Sequence, residues 1–107
     1  VNKIENCHEG GGLLHCTEML ADYGKKDAGF KYIHDNIIEA GASIGAHSHE
    51  GDEELYIILE GHGVMEIDGV ETPVDPGDVC ITRHGHSHSL QNSDDSPMRM
   101  LVICANL

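Results

Sequence analysis

No stretch of this chain repeats its apolar residues at helical spacing; short β-rich runs alternate with Gly, Pro and Asp turns. That pattern confines the fold to a sandwich or barrel of antiparallel strands with little or no helix. The expected strands run over Leu13–Met19, Phe30–Glu39, Ile44–His49, Glu54–Glu60, Val64–Ile67, Val79–Ile81, His88–Asn92 and Met98–Ala105. Asp68-Gly69, set between Ile67 and Val70, is a two-residue hairpin signal. Asp75-Pro76-Gly77-Asp78 is a further turn, with Pro76 fitted to its second position. At 107 residues the chain is expected to form one domain spanning 1–107, with one core. Residues 1–12, polar and ending in Gly10-Gly11-Gly12, read as a flexible lead-in.

The strand over Leu55, Tyr56, Ile57, Ile58 and Leu59 is apolar on both faces. Such a strand is covered twice, inside a sandwich or against a second copy of the chain, and a homodimer is expected. Nineteen acidic against six basic residues give a formal net charge of −13. That field opposes nucleic acid and anionic membranes as partners, since both reward clustered Lys and Arg. No charged-then-apolar leader and no membrane-length apolar run is present, so a cytoplasmic location is expected. The four cysteines lack a Cys-x-x-Cys pair. They are expected to stay reduced, with Cys80 and Cys104 as small core residues. The spacing of Cys7-His8 and His15-Cys16 is not that of a zinc finger.

Chemistry concentrates between Gly41 and Gly61. If Ile44–His49 runs extended, His47 and His49 point to the same side, because strand side chains repeat with period two. A break at Glu50-Gly51-Asp52 follows, and the Glu54–Glu60 strand is expected to pair back. That would set two imidazoles and the Glu54 carboxylate on adjacent strands, a first shell for a divalent metal whose fourth ligand comes from elsewhere. A second stretch, Gly77–Asn92, ends an apolar strand in a Gly-containing turn and starts another with His88, Leu90 and Asn92 on one face.

Together the two stretches resemble the paired motifs of the cupin superfamily. The first family motif is Gly, five residues, His-x-His, three or four residues, Glu, six residues, Gly; Gly41, His47, His49, Glu54 and Gly61 fill it. The second is Gly, five residues, Pro-x-Gly, two residues, His, three residues, Asn. Gly77, Gly85, His88 and Asn92 fill that one, with Arg83 where the family has Pro. The motifs span about half the chain, in the family order, 15 residues apart.

The resemblance implies a double-stranded β-helix, the jelly-roll barrel of the cupins. It also implies one divalent metal ion per chain (Mn, Fe, Ni, Co, Zn or Cu), held by His47, His49, Glu54 and His88. Such a centre serves sugar isomerases, dioxygenases, decarboxylases and lyases. The expected function is therefore metal-dependent chemistry on a small oxygenated molecule, a sugar or a keto or carboxylic acid. A non-catalytic cupin that senses a metal or small ligand is the alternative.

Three further residues are candidates for catalysis. Tyr56 shares the face of Glu54 and is a proton donor or substrate contact beside the metal. His86 lies two residues before His88. Arg83 reads as an exposed turn residue or, in the sharper reading, as a carboxylate or phosphate anchor at the pocket rim. Tyr32 and His34 share a face and are weaker candidates of the same kind. Asn92 reads as a turn or supporting residue, His62 and His84 as surface residues, and Met65, Met98 and Met100 as filler.

Overall fold

The computed structural model describes residues 2–25 and 27–107. Ten strands follow in chain order: β1 (Asn2–Glu5), β2 (Leu13–Glu18), β3 (Phe30–Ile38), β4 (Ser43–Ser48), β5 (Asp52–Glu60), β6 (Gly63–Ile67), β7 (Val70–Val74), β8 (Val79–Thr82), β9 (Ser87–Gln91) and β10 (Met98–Asn106). Among the described residues the only helix is a single 3-10 turn, Cys7–Glu9. One sheet has the order β1-β2-β3-β10-β5-β8 and the other β4-β9-β6-β7, all pairs antiparallel. This is the double-stranded β-helix expected from the sequence.

Period-two alternation builds the core. Ile58, Met98, Met100 and Val102 enter it from the six-stranded sheet, Met65 and Leu90 from the four-stranded one, all buried. Met65, Met98 and Met100 are core filler, as expected. The inward face of β5 changes character along its length: Asp52 and Glu54 come first, then Tyr56 and Ile58. On β9 the same face runs from His88 to Leu90. The barrel therefore has a polar mouth and an apolar floor.

A bulge sets the ligand side of β4. Ile44 pairs with Leu90 and His47 with His88, so β4 spends one more residue than β9 between those two pairs. The extra residue reverses the parity of the strand. Ile44 and His47 thereby both face inward, although they are an odd number of positions apart. Gly45 sits in this bulge, and a Cβ there would meet the carbonyl oxygen of His8 at 1.9 Å. Only glycine lets the 3-10 turn lie so close.

Three expectations are corrected. β4 and β5 do not pair: β4 belongs to the four-stranded sheet and β5 to the six-stranded one, paired with β10 and β8. The Glu50-Gly51 corner carries the chain across the barrel, so the ligands face one another across the interior. Residues 2–12 are not a loose lead-in. β1 pairs with β2, and Asn6 N–H and Ser43 N–H donate to the carbonyls of Gly12 and Gly11. Cys80 is only half-buried, while Cys16 and Cys104 are in the core. Within one chain β5 is buried on its inward face, with Leu55 and Ile57 half-buried and Leu59 38% exposed on the other.

The Asp68-Gly69 hairpin forms as read, with φ of 50° and 83°. Asn92 is fully buried just past β9. Its Nδ2 donates to the carbonyls of Ile38 (3.0 Å), Glu39 (3.2 Å) and Ser96 (2.9 Å), and its Oδ1 accepts from Asp94 N–H (3.1 Å). It ties the β3–β4 connection to the β9–β10 loop and is no ligand. Asn92→Ala leaves those groups unpaired in the interior and is expected to cost about 3 kcal/mol. The melting temperature should drop by more than about 10 °C in a thermal unfolding scan; an unchanged value would contradict this role.

Candidate metal centre

The polar mouth gathers His47 from β4, His49 from the corner after it, Glu54 from β5 and His88 from β9. Their donor atoms lie within 4.8 Å of one another. His88 Nε2 is 2.9 Å from His47 Nε2 and 3.0 Å from His49 Nε2. Glu54 Oε1 is 3.2 Å from both His49 Nε2 and His88 Nε2. His49, Glu54 and His88 are buried and His47 half-buried.

What aims the rings is on their far sides. His47 Nδ1 donates to Gly45 O (2.8 Å), His49 Nδ1 to Asp52 Oδ1 (2.8 Å), and His88 Nδ1 to Thr82 Oγ1 (2.7 Å). A carbonyl and a carboxylate can only accept, and a hydroxyl accepts as readily as it donates. With the Nδ1 atoms engaged, the Nε2 atoms turn to one point, and this support fixes ring orientation as in metalloprotein sites generally. Three imidazoles and one carboxylate suit a first-row divalent cation. Without a cation, drawing them together out of water is costly. The residues present therefore fit the metal that the sequence implies.

Electrostatics agree. Burial alone would raise the Glu54 pKa, but hydrogen bonds from His49, His88 and Tyr32 more than reverse this, and the carboxyl is held well below its usual range. The hydrogen bond to Glu54 raises His49, against the effect of burial. Burial lowers His47 to about 4. Around this cluster His8 stacks on His47 at 3.7 Å between ring centroids, and Tyr32 donates to Glu54. Burial, followed by the Glu54 charge, raises the phenols of both Tyr32 and Tyr56. His49, Asp52 and Cys104 form a second close group. In it Asp52 accepts from His49 Nδ1 at 2.8 Å, and burial pushes the Cys104 thiol up to about 12.

Of the expected catalytic residues, Tyr56 is at the centre: its ring stacks on His88 at 4.9 Å and its hydroxyl is 3.4 Å from Nε2. Arg83 and His86 are not. Gly85 N–H donates to His49 O and His49 N–H to His86 O, so the turn is joined to the mouth through its backbone. Its side chains point out: Arg83 is exposed, 3.5 Å from Glu53, and His86 pairs with Asp68. His86 lies in the turn before β9, which starts at Ser87.

Sequence reasoning missed His8, Asp52, Thr82 and Asn36. Asp52 carried a signal, since it shares the parity of Glu54 on one strand. For His8 there was none, because its place depends on the left-handed backbone at Asn6, His8 and Glu9.

A double-stranded β-helix with three histidines and one glutamate at its mouth defines a small metal-site barrel. The cupin domain profile matches residues 36–104. This chain belongs to the cupin family. It is 43% identical over 101 residues to the oxalate-binding protein of Thermotoga maritima, covering 94% of this chain and 83% of that protein. The crystal structure of a predicted oxalate decarboxylase from Thermotoga maritima superposes with a TM-score of 0.92 and 31% identity, over 99% of this chain and 91% of that one. The cupin domain of Schizosaccharomyces pombe Cnp3 shares the fold, with a TM-score of 0.80 at 17% identity, over 100% of this chain and 69% of that one.

Proposed function

We propose that this chain holds one divalent metal ion on His47, His49, Glu54 and His88 and binds a small carboxylate of oxalate's size beside it. The convergence of the three Nε2 atoms and Glu54 Oε1, with each Nδ1 engaged from behind, carries this reading. When bound, such an ion supplies Lewis acidity toward a carboxylate or carbonyl oxygen. The chain itself sets the size of the ligand. The cavity that His47 and Glu54 line is about 140 Å3, near the roughly 150 Å3 that accepts benzene in an engineered core. Its occupant has on the order of six non-hydrogen atoms, as oxalate does. Among the described residues no Lys or Arg lines this cavity. The charge that offsets a bound carboxylate would therefore come from the metal. The name of the 43% identical relative points to the same ligand.

Turnover is the second reading. A decarboxylase or isomerase must deliver a proton to carbon from a positioned acid. Glu54 is the only carboxyl among the described residues lining the cavity, and it is held ionised, while the Tyr32 and Tyr56 phenols keep their protons. Tyr56, its hydroxyl 3.4 Å from His88 Nε2, is the proton donor this second reading would use. The test is elemental analysis of purified protein, then calorimetric titration of the metal-loaded protein with oxalate and an assay for its breakdown products. One equivalent of metal and saturable oxalate binding are expected; metal without oxalate binding would refute the ligand. Product formation would promote the second reading.

A homodimer is part of the proposal. Adjacent strands β5, β8 and β10 carry Leu55, Leu59, Val79, Ile81 and Ile103 on their outer face, and Val79 is 55% and Ile81 42% exposed. A second copy of the chain would cover this stripe. Light scattering at micromolar concentration should give twice the 11.6 kDa chain mass; a monomer mass would sink it. Among the described residues no helix is long and apolar enough to cross a membrane, and the four free cysteines suit the proposed cytoplasmic location.

A further inference from the structure

Tyr32, His34 and Asn36 follow one another at period two on β3 and line the same cavity as Glu54 and His47. Most polar side chains on that wall are already engaged. Tyr32 donates to Glu54, His34 Nε2 to Glu18 (2.8 Å) and His47 Nδ1 to Gly45 O. Asn36 is different. It is only 6% exposed, and its Oδ1 has no hydrogen-bond partner among the described residues. Leu14, Ile44 and Val102 make up the apolar wall around it. A buried amide oxygen without a partner costs stability, and an apolar side chain of the same shape would serve the fold better. A group kept at such a cost belongs to whatever enters the cavity.

We infer that Asn36 reads the far end of the ligand. Its carboxamide hydrogen-bonds the polar group remote from the His47–His49–Glu54–His88 cluster, so the site selects small acids polar at both ends over acids polar at one. A half-turn of the amide offers either Nδ2–H to a carboxylate or Oδ1 to an N–H or O–H. This rests on the reading that the cavity takes a small carboxylate.

Two variants and three probes test it. Asn36→Leu keeps the shape and removes the polar atoms. Its metal-free form should melt at least about 4 °C above wild type, because the unpaired group is gone. Titrated calorimetrically in the manganese-loaded state, it should lose about tenfold or more in affinity for oxalate and oxamate while binding acetate as wild type does. Asn36→Asp should weaken oxalate further, since a carboxylate there repels the anion. Wild-type affinity for oxalate and oxamate in Asn36→Leu would overturn the inference and leave the metal-and-carboxylate reading standing. An equal loss for all three probes, or a lower melting point, would overturn it too, by making Asn36 a structural group. If wild-type protein binds none of the probes, the small-carboxylate reading falls and this inference falls with it.

Discussion

Protein carrying His47→Ala and His49→Ala together is expected to emerge from purification with no stoichiometric divalent metal, while the wild type carries about one equivalent per chain. The double change removes two of three imidazoles from a cluster whose donor atoms lie within 4.8 Å of one another. What is left, Glu54 and His88, is two ligands on opposite sheets and cannot enclose an ion. His88→Ala alone takes away the only ligand of β9 and should weaken metal binding by at least about tenfold. Its fold should survive, because Leu90 and Asn92, not His88, join β9 to the core and the loops. Removing an imidazole also relieves crowding among groups that desolvate one another, so the metal-free melting point should not drop steeply. Elemental analysis and a thermal scan on the same samples decide the matter. Retention of one equivalent of metal by the double variant would sink the site assignment and every reading built on it.

The ligands were legible because their chemistry is local. His-x-His, the glutamate five residues on, and the later His88 are spacings along the chain, and the Asp68-Gly69 turn is a two-residue signal. What the residues did not reveal is long-range. The pairing of β5 with β10 joins segments dozens of residues apart, as Leu55 with Ile103, and nothing near Glu54 says that its strand lies across the barrel from His47. Period two alone could not place Ile44 and His47 on one face, since the bulge that does so depends on register with β9. Closeness in sequence misleads at His86, two residues before His88 but turned out to Asp68. Asn36 was invisible for a different reason: an Asn in a β-rich run is unremarkable until burial and a missing partner distinguish it.

Metal uptake near neutral pH is expected to release protons, and affinity to fall as the solution is acidified, with His49 as the group that competes. In the metal-free protein its pKa is raised above the ordinary 6.5, chiefly by the hydrogen bond to Glu54 and further by Asp52. A raised histidine stabilises the fold fully below its unfolded pKa, and that contribution is lost as pH rises through the higher folded value. Metal and proton contend for Nε2 over the same window, so each pH unit below it should lower metal affinity about tenfold. His47 behaves in the opposite sense. Burial holds its pKa at about 4, so its neutral form contributes stability above 6.5 that is lost progressively as pH falls toward about 4. It offers no proton to displace at neutral pH. Calorimetry of manganese binding in buffers of different ionisation enthalpy should report proton release on metal uptake, growing as the pH of the titration is lowered. Asp52→Asn keeps an acceptor for His49 Nδ1 but removes the negative charge, so the release should shrink while metal still binds. A buffer-independent heat in wild-type protein would show that His49 is already neutral and that the Glu54–His49 pair does not hold a proton before the metal arrives.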